Sequence, residues 1–205
     1  MAYLSEHCDF SPLTEELVSS LGGFSCAEEP EIATFFREEA VLNDEQRLSK
    51  SYCFYRKDLK KIVCAFCVSN SNISTRTMPE GIKDEFVAEI PDEKRRSFYP
   101  ATLIGQLVVF DDFRSEHVGD EFMDLLKVWV VTKASQIGFR YLVVDAVNKP
   151  KVIQYYRNNG FEMLFEDEKT EKGYRNIQSR NSLKTRFMTY DLTLMSIPTQ
   201  NSTAS

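Results

Sequence analysis

The chain has 205 residues and a formal net charge of −6, with 25 Lys and Arg against 31 Asp and Glu. This length allows one domain with a hydrophobic core, and an apolar fraction of 42% excludes long intrinsic disorder for most of the chain. The acidic balance disfavours a large electrostatic surface for nucleic acid. No run approaches the roughly 18 consecutive apolar residues of a membrane span, and the first residues lack a signal-peptide pattern, so the sequence predicts a cytoplasmic protein without a membrane partner.

The five cysteines indicate reduced thiols rather than disulfides, because Cys53, Cys64 and Cys67 lie in apolar runs typical of a core. Cys64 and Cys67 have the spacing of a metal motif. In a strand, however, their side chains would face opposite sides, and no second pair of ligands accompanies them. No metal site is predicted.

Two amphipathic helices are predicted before any strand. Ser11-Pro12, followed by leucines and a valine, has the pattern of a capped helix that ends at Gly22-Gly23. Apolar residues recur at helical spacing from Glu28 to Ala40 and predict the second helix.

A β-hairpin is predicted next, with strands at Ser51–Arg56 and Ile62–Ser69, because both runs are rich in β-branched and aromatic residues. The polar segment from Asn70 to Pro100 predicts a long connection with a short helix near residues 81–88. A connection of this length is often a functional loop or lid.

A βαβ unit follows, since a strand at 103–110, a helix at 118–137 that ends at Gly138 and an apolar strand at 141–144 succeed one another. Asn148 is then expected to cap a helix that ends at Asn159-Gly160.

Short strands are predicted at 161–165 and 185–194, on either side of a polar stretch at 166–182. Residues 1–195 are therefore expected to form one domain, and residues 196–205 a disordered tail.

The turn between the strand ending at Phe110 and the helix beginning at Val118 has the pattern of an anion site. Free backbone N–H groups gather at the positive end of a helix, and Arg114 precedes it. The same pattern is also typical of an ordinary strand-to-helix turn.

Two motifs together resemble the GNAT superfamily of N-acetyltransferases. The segment Val144–Phe161 is similar to that superfamily's strand, Asn-initiated helix and Phe-Tyr-x-x-x-Gly-Phe ending. Arg114 and Gly119 match its Arg/Gln-x-x-Gly-x-Gly/Ala phosphate loop. The run from Tyr99 to Val109 is similar to the toxin-type branch.

The resemblance implies an α/β fold with a mixed, twisted sheet of six or seven strands flanked by helices. A V-shaped splay would separate two parallel strands that end near Phe110 and Val144. It also implies that acetyl-CoA is the acyl donor, and that a primary amine attacks the thioester directly.

The same resemblance implies site residues. Backbone groups of the strand would bind the pantetheine arm, loop amides would hold the pyrophosphate, and Tyr156 would protonate the leaving thiolate. Tyr155 is the second choice for this acid, and both tyrosines have an alternative interpretation as core aromatics. The candidate cofactor-binding residues are Leu107, Val108, Val109, Arg114, Ser115, Glu116, His117, Val118, Gly119, Asp120, Asn148 and Tyr155.

One departure from the family motif is His117, which replaces the first glycine of the loop. A cationic His117 side chain would assist phosphate binding, whereas a side chain that faces solvent would not. Asp120 and Glu121 would repel a diphosphate, which predicts weaker cofactor binding. The general base is left open among Asp111, Asp112, Asp145 and Glu116, with a chain of waters as the other route.

The acceptor stays open between a small molecule and a protein, while an aminoacyl-tRNA is less favoured because of the charge of −6. A homodimer and an antitoxin are the partners that the resemblance suggests. Two other functions compete with catalysis. One is a degenerate module that binds acyl-CoA or a protein, and the other is a binding site for another nucleotide. The sequence has neither the Walker-type lysine nor the dinucleotide glycine triplet that would support the nucleotide site.

Overall fold

A computed structural model describes residues 2–116 and 118–195, except for the side chains of Ser115 and Glu116. The predicted tail at 196–205 lies outside the described residues. Seven strands form one sheet in the order β1-β2-β3-β4-β5-β7-β6. No helix in the described part of the chain is long and apolar enough to cross a membrane.

The strands are β1 (Asp9–Pro12), β2 (Lys50–Arg56), β3 (Lys61–Ser74), β4 (Phe98–Val109), β5 (Tyr141–Val147), β6 (Glu162–Met163) and β7 (Thr185–Asp191). The α-helices are α1 (Tyr3–His7), α2 (Glu15–Ser20), α3 (Pro30–Thr34), α4 (Ala40–Glu45), α5 (Glu80–Val87), α6 (Val118–Ile137), α7 (Pro150–Asn158) and α8 (Glu168–Tyr174). A π-helical turn at Phe35–Glu39 joins α3 to α4.

The sheet splays between β4 and β5, which are its parallel pair. Ala101–Ile104 pair with Tyr141–Val144, and beyond these residues β4 stays paired only with β3 and β5 only with β7. The register of β4 against β3 also shifts next to Gly105, as at a β-bulge. This geometry confirms the predicted mixed sheet with a V-shaped splay.

Helices cover both faces of the sheet. On one face, α1, α6 and α7 pack around Phe66 and Phe122. On the other face, α3 and its neighbours pack around Phe36 and Phe110, while α5 covers a third cluster that includes Val143. Because the splay lies between the two helical layers, both layers contribute side chains to it.

The prediction for the first helix is wrong at its start. Ser11 and Pro12 lie in the edge strand β1, where a proline without an N–H group is tolerated. The helix is instead capped by Thr14, whose side chain accepts a hydrogen bond from the Leu17 amide. A strand therefore precedes this helix, contrary to the expected order.

Three further expectations need correction. The connection predicted from Asn70 to Pro100 is shorter than expected, because β3 continues to Ser74 and pairs there with Phe98 at the start of β4. The stretch 166–182 contains α8, whose N-cap is Asp167. Asn148 does not cap α7, since Lys149 occupies the cap position and makes no side-chain cap bond.

Candidate active site

A cleft of about 550 Å³ opens where β4 and β5 diverge. This volume lies in the range of small-molecule sites. Its walls come from Ile104–Val109 of β4 and Val144–Val147 of β5. From the α6/α7 face the cleft is lined by Gly119, Phe122, Val152, Tyr155 and Tyr156, and from the α3 face by Cys26, Glu28, Glu29 and Ile32. The cleft thus joins the two faces of the sheet.

Tyr156 offers a buried and unpaired hydroxyl to this cleft. The residue is 6% exposed and its ring packs edge-on against Phe161. Among the described residues its hydroxyl has no hydrogen-bond partner. The hydroxyls that are both unpaired and fully buried in this part of the chain belong to Ser49 and Ser51, so the Tyr156 hydroxyl is not fully enclosed. Burial raises the pKa of Tyr156, so the phenol stays protonated at neutral pH and is able to donate a proton.

Tyr155 is held differently from its neighbour. Its hydroxyl donates a 2.7 Å hydrogen bond to the Gly119 carbonyl, which ties α7 to the first turn of α6. Burial also raises the pKa of Tyr155. Because its proton already has an acceptor, Tyr155 is suited to hold the loop in place rather than to protonate a ligand.

Arg114 reaches the cleft with its charge already compensated. Its Nε donates to the Val109 carbonyl at 3.1 Å, and its guanidinium forms ion pairs with Glu28 at 2.9 Å and with Asp111 at 3.2 Å. Asp111 is fixed by Ser25, whose hydroxyl donates to it and lowers the pKa of its carboxyl. An incoming phosphate would have to compete with these carboxylates for the guanidinium.

The rest of the predicted phosphate loop is only partly described. The Ser115 and Glu116 side chains and His117 lie outside the described residues, so the proposed contribution of His117 stays a prediction. Val118 is buried and Asp120 is exposed at the start of α6.

Glu121 is committed to α1 rather than to the loop. Its carboxylate accepts hydrogen bonds from the Leu4 amide at 2.9 Å and the Ser5 amide at 3.0 Å. Burial would raise the pKa of this carboxyl, but the amide hydrogen bonds outweigh that effect and the pKa lies below its ordinary value.

Replacing Glu121 with glutamine is therefore expected to cost about 2 kcal/mol of unfolding free energy at pH 7, because charge-assisted hydrogen bonds are lost. The folded-state pKa is depressed, so the stabilisation is present above the unfolded-state pKa and is lost as pH falls through the folded value. Urea unfolding of both proteins across pH checks this. A difference that stayed constant down to about pH 3 would contradict it.

Other predicted site residues lie in varied positions. Leu107, Val108 and Val109 line the cleft, and their contact with a pantetheine arm stays a prediction. Asn148 is not among the lining residues; its amide donates to the Glu168 carboxylate at 2.9 Å and to the Leu183 carbonyl at 2.8 Å. The proposed bond from Asn148 to the cofactor would compete with these contacts.

Sequence reasoning missed the acidic rim on the α3 face. Glu28 and Glu29 line the cleft, and Glu29 forms an ion pair with Lys149 at the start of α7. The hydrogen bond that Lys149 donates to the Glu29 carboxylate lowers the pKa of Glu29. No local pattern links the start of α3 to β5 and α7, so only the tertiary fold shows this juxtaposition.

No family model and no curated protein matches the chain, but solved structures share its fold. A structure of AtaT with acetyl-methionyl-tRNAfMet is 15% identical, covering 91% of this chain and 96% of that one with a TM-score of 0.67. A tyrosine-to-phenylalanine mutant of KacT is 17% identical, with coverages of 92% and 97% and a TM-score of 0.68. AtaTR bound with AcCoA is 14% identical, with coverages of 92% and 96% and a TM-score of 0.65. The chain therefore has the GNAT fold of the toxin-type acetyltransferases AtaT and KacT.

Proposed function

We propose that this protein is an N-acetyltransferase that uses acetyl-CoA as the acyl donor and a primary amine as the acceptor. The observation that carries the proposal is the unpaired, buried hydroxyl of Tyr156 in a cleft between two diverging parallel strands. The fold shared with AtaTR bound with AcCoA supports the choice of donor.

The thioester would lie against the unpaired edge of β4 beyond Ile104, with the pantetheine arm along Leu107–Val109. Main-chain groups there are free of β5 and are available to stabilise the oxyanion that forms at the thioester carbonyl. The backbone between Arg114 and Asp120, at the start of α6, is the proposed pyrophosphate site. Asn148 and Tyr155 are proposed to contribute less to cofactor binding than these main-chain groups, because their side chains already make internal hydrogen bonds.

The amine nitrogen would attack the thioester carbon directly, forming the C–N bond as the C–S bond breaks. Tyr156 would then give its proton to the departing thiolate, which releases CoA with a free thiol. The phenol is protonated at neutral pH, and burial raises its pKa further. The neighbour KacT was solved as a tyrosine-to-phenylalanine mutant.

Acceptor and partners are proposed at the level of class. One neighbour is complexed with acetyl-methionyl-tRNAfMet, one is bound to the C-terminus of the antitoxin AtaR, and another is the KacTA–DNA complex. By analogy we include an antitoxin and a second copy of this chain as partners, and a cytoplasmic location. The net charge of −6 keeps small-molecule and protein amines ahead of aminoacyl-tRNA.

Thiol release from acetyl-CoA, measured with a panel of primary amines, tests the proposal. Amine-dependent thiol release is expected, together with a rise in melting temperature on adding CoA. The alternative left open by the sequence is a module that binds acyl-CoA without turnover. Stabilisation by CoA without thiol release by any amine would support that module and contradict catalysis.

A further inference from the structure

On the face opposite Tyr156, the cleft carries a carboxylate, Asp145, that is held in place by a buried network. Asp145 lies in β5 immediately after the last residue that pairs with β4. Side chains alternate along a strand, and Val144 and Ala146 pack in the α6/α7 cluster. Asp145 therefore points to the opposite face, away from Tyr156.

Asp145 is both accessible and anchored. Its side chain is 39% exposed, and its Oδ1 lies 2.9 Å from Nη2 of Arg175. Within the part of the chain that the structure describes, Arg175 is the one side chain that pairs with Asp145. The carboxylate is thus anchored by an ion pair and still exposed enough to accept a proton or a hydrogen bond from the cleft.

The anchor of Asp145 continues into the protein. Arg175 also pairs with Glu171 at 3.1 Å, and Glu171 is fully buried. Glu171 in turn accepts a 2.7 Å hydrogen bond from Nε of Arg186 on β7. Burying a network of charges costs desolvation free energy. This network ends at Asp145, a carboxylate that lines the cleft.

Charges near Asp145 act in both directions. Burial raises the pKa of its carboxyl, Arg175 opposes this and Glu171 adds to it, and the result lies above the ordinary value. Among the described residues, the charged groups on the neighbouring elements and around the cleft are Arg175, Glu171, Arg186, Glu28, Glu29, Arg114, Lys149 and Lys151. Asp145 therefore differs from Glu29, whose pKa is lowered by its lysine partner.

We infer that Asp145 takes the proton from the acceptor ammonium and so prepares the amine for attack. This inference rests on the proposed function. Tyr156 is nine-tenths buried, unpaired and aimed into the same cleft from the opposite face, which independently indicates that a ligand lies between the two groups.

The ammonium gives one proton to the Asp145 carboxylate, and the neutral nitrogen attacks the thioester carbon. The C–S bond breaks and Tyr156 protonates the thiolate, while the second nitrogen proton returns through solvent to the Tyr156 oxygen. Asp145 then releases its proton to solvent, so that one amide, one free thiol and one proton are the net products.

Two acceptors distinguish this role from a structural one. With an alkyl amine, which is protonated at the assay pH, Asp145→Asn is expected to lower kcat/KM about 10²- to 10³-fold. With hydroxylamine, which is largely neutral at the assay pH, the same variant is expected to stay within about fivefold of the wild-type protein, because no proton has to be removed. Asp84→Asn, an exposed carboxylate on α5, is the matched control.

Asp145→Ser must show the same selective loss as Asp145→Asn. An equal loss with both acceptors in both variants, or no loss with the alkyl amine, would overturn the inference. If the wild-type protein releases thiol with neither acceptor, the proposed function fails and this inference with it. If the wild-type protein turns over and the variants are unselective, only the assignment of Asp145 fails.

Discussion

Replacing Tyr156 by phenylalanine is expected to lower kcat for thiol release about 10²- to 10⁴-fold, the usual contribution of a positioned general acid. The ring packing against Phe161 is retained, so the KM for acetyl-CoA is expected to change by less than about threefold. The hydroxyl removed has no partner among the described residues, and therefore its loss breaks no internal hydrogen bond there. Steady-state thiol release at saturating amine measures the effect.

Tyr155→Phe is the matched control, since it removes the neighbouring hydroxyl on the same helix. It breaks the hydrogen bond to the Gly119 carbonyl and is expected to cost about 1 kcal/mol of stability. Its kcat is expected to stay within about tenfold of the wild-type value. If Tyr155→Phe were the more damaging variant, or Tyr156→Phe had no effect, Tyr156 would not be the acid.

Replacing Glu171 by glutamine is expected to destabilise the fold by about 3–5 kcal/mol, because it leaves a buried guanidinium without its counter-ion. Glu171 is fully buried, accepts hydrogen bonds from Arg186 at 2.7 Å and from the Phe187 amide at 2.8 Å, and pairs with Arg175. Arg186 is itself only 7% exposed. Urea unfolding with an unchanged m-value is the measurement.

Glu166→Gln makes the same chemical change on an exposed residue nearby and is expected to cost less than about 0.5 kcal/mol. A cost for Glu171→Gln as small as that of this control would show that the buried network contributes little. The same network holds Arg175 against Asp145, so its loss would also disturb the position of Asp145 in the cleft.

Strong local patterns predicted the centre of the fold well. The stripe of apolar residues between Val118 and Ile137 and the glycine that follows it correspond to α6 and to Gly138, whose φ is +86°. The apolar run beginning at Tyr141 corresponds to β5, which is buried on both faces at its start. These elements were predictable because periodicity and end signals agreed.

Elements with weak or ambiguous local signals were not predictable. Ser11-Pro12 and Asn148 have the composition of helix caps, but long-range contacts assign them to an edge strand and to bonds with Glu168 and Leu183. Helix α8 lacks an apolar stripe, and its inward-facing residue Glu171 is charged. Its buried residue Glu171 instead pairs with Arg186 on β7, a contact that periodicity does not reveal.

The site was predictable to a similar degree. The motif residues Arg114, Gly119, Tyr155 and Tyr156 converge on one cleft, as the resemblance implied. The motif did not predict the difference between the two tyrosines, which arises because the Tyr155 hydroxyl donates to the Gly119 carbonyl. It also did not predict the ion pair between Arg114 and Glu28. Both depend on contacts between segments that are far apart in sequence.

A crystal structure with bound CoA tests the central claim most directly. The pantetheine arm is expected between β4 and β5 beyond Ile104 and Val144, with its sulfur within hydrogen-bond reach of the Tyr156 hydroxyl, at about 3–3.5 Å. CoA bound elsewhere, such as in the groove beside Tyr52 and Trp129, would contradict the account. So would a sulfur that lies in the cleft beyond the reach of Tyr156.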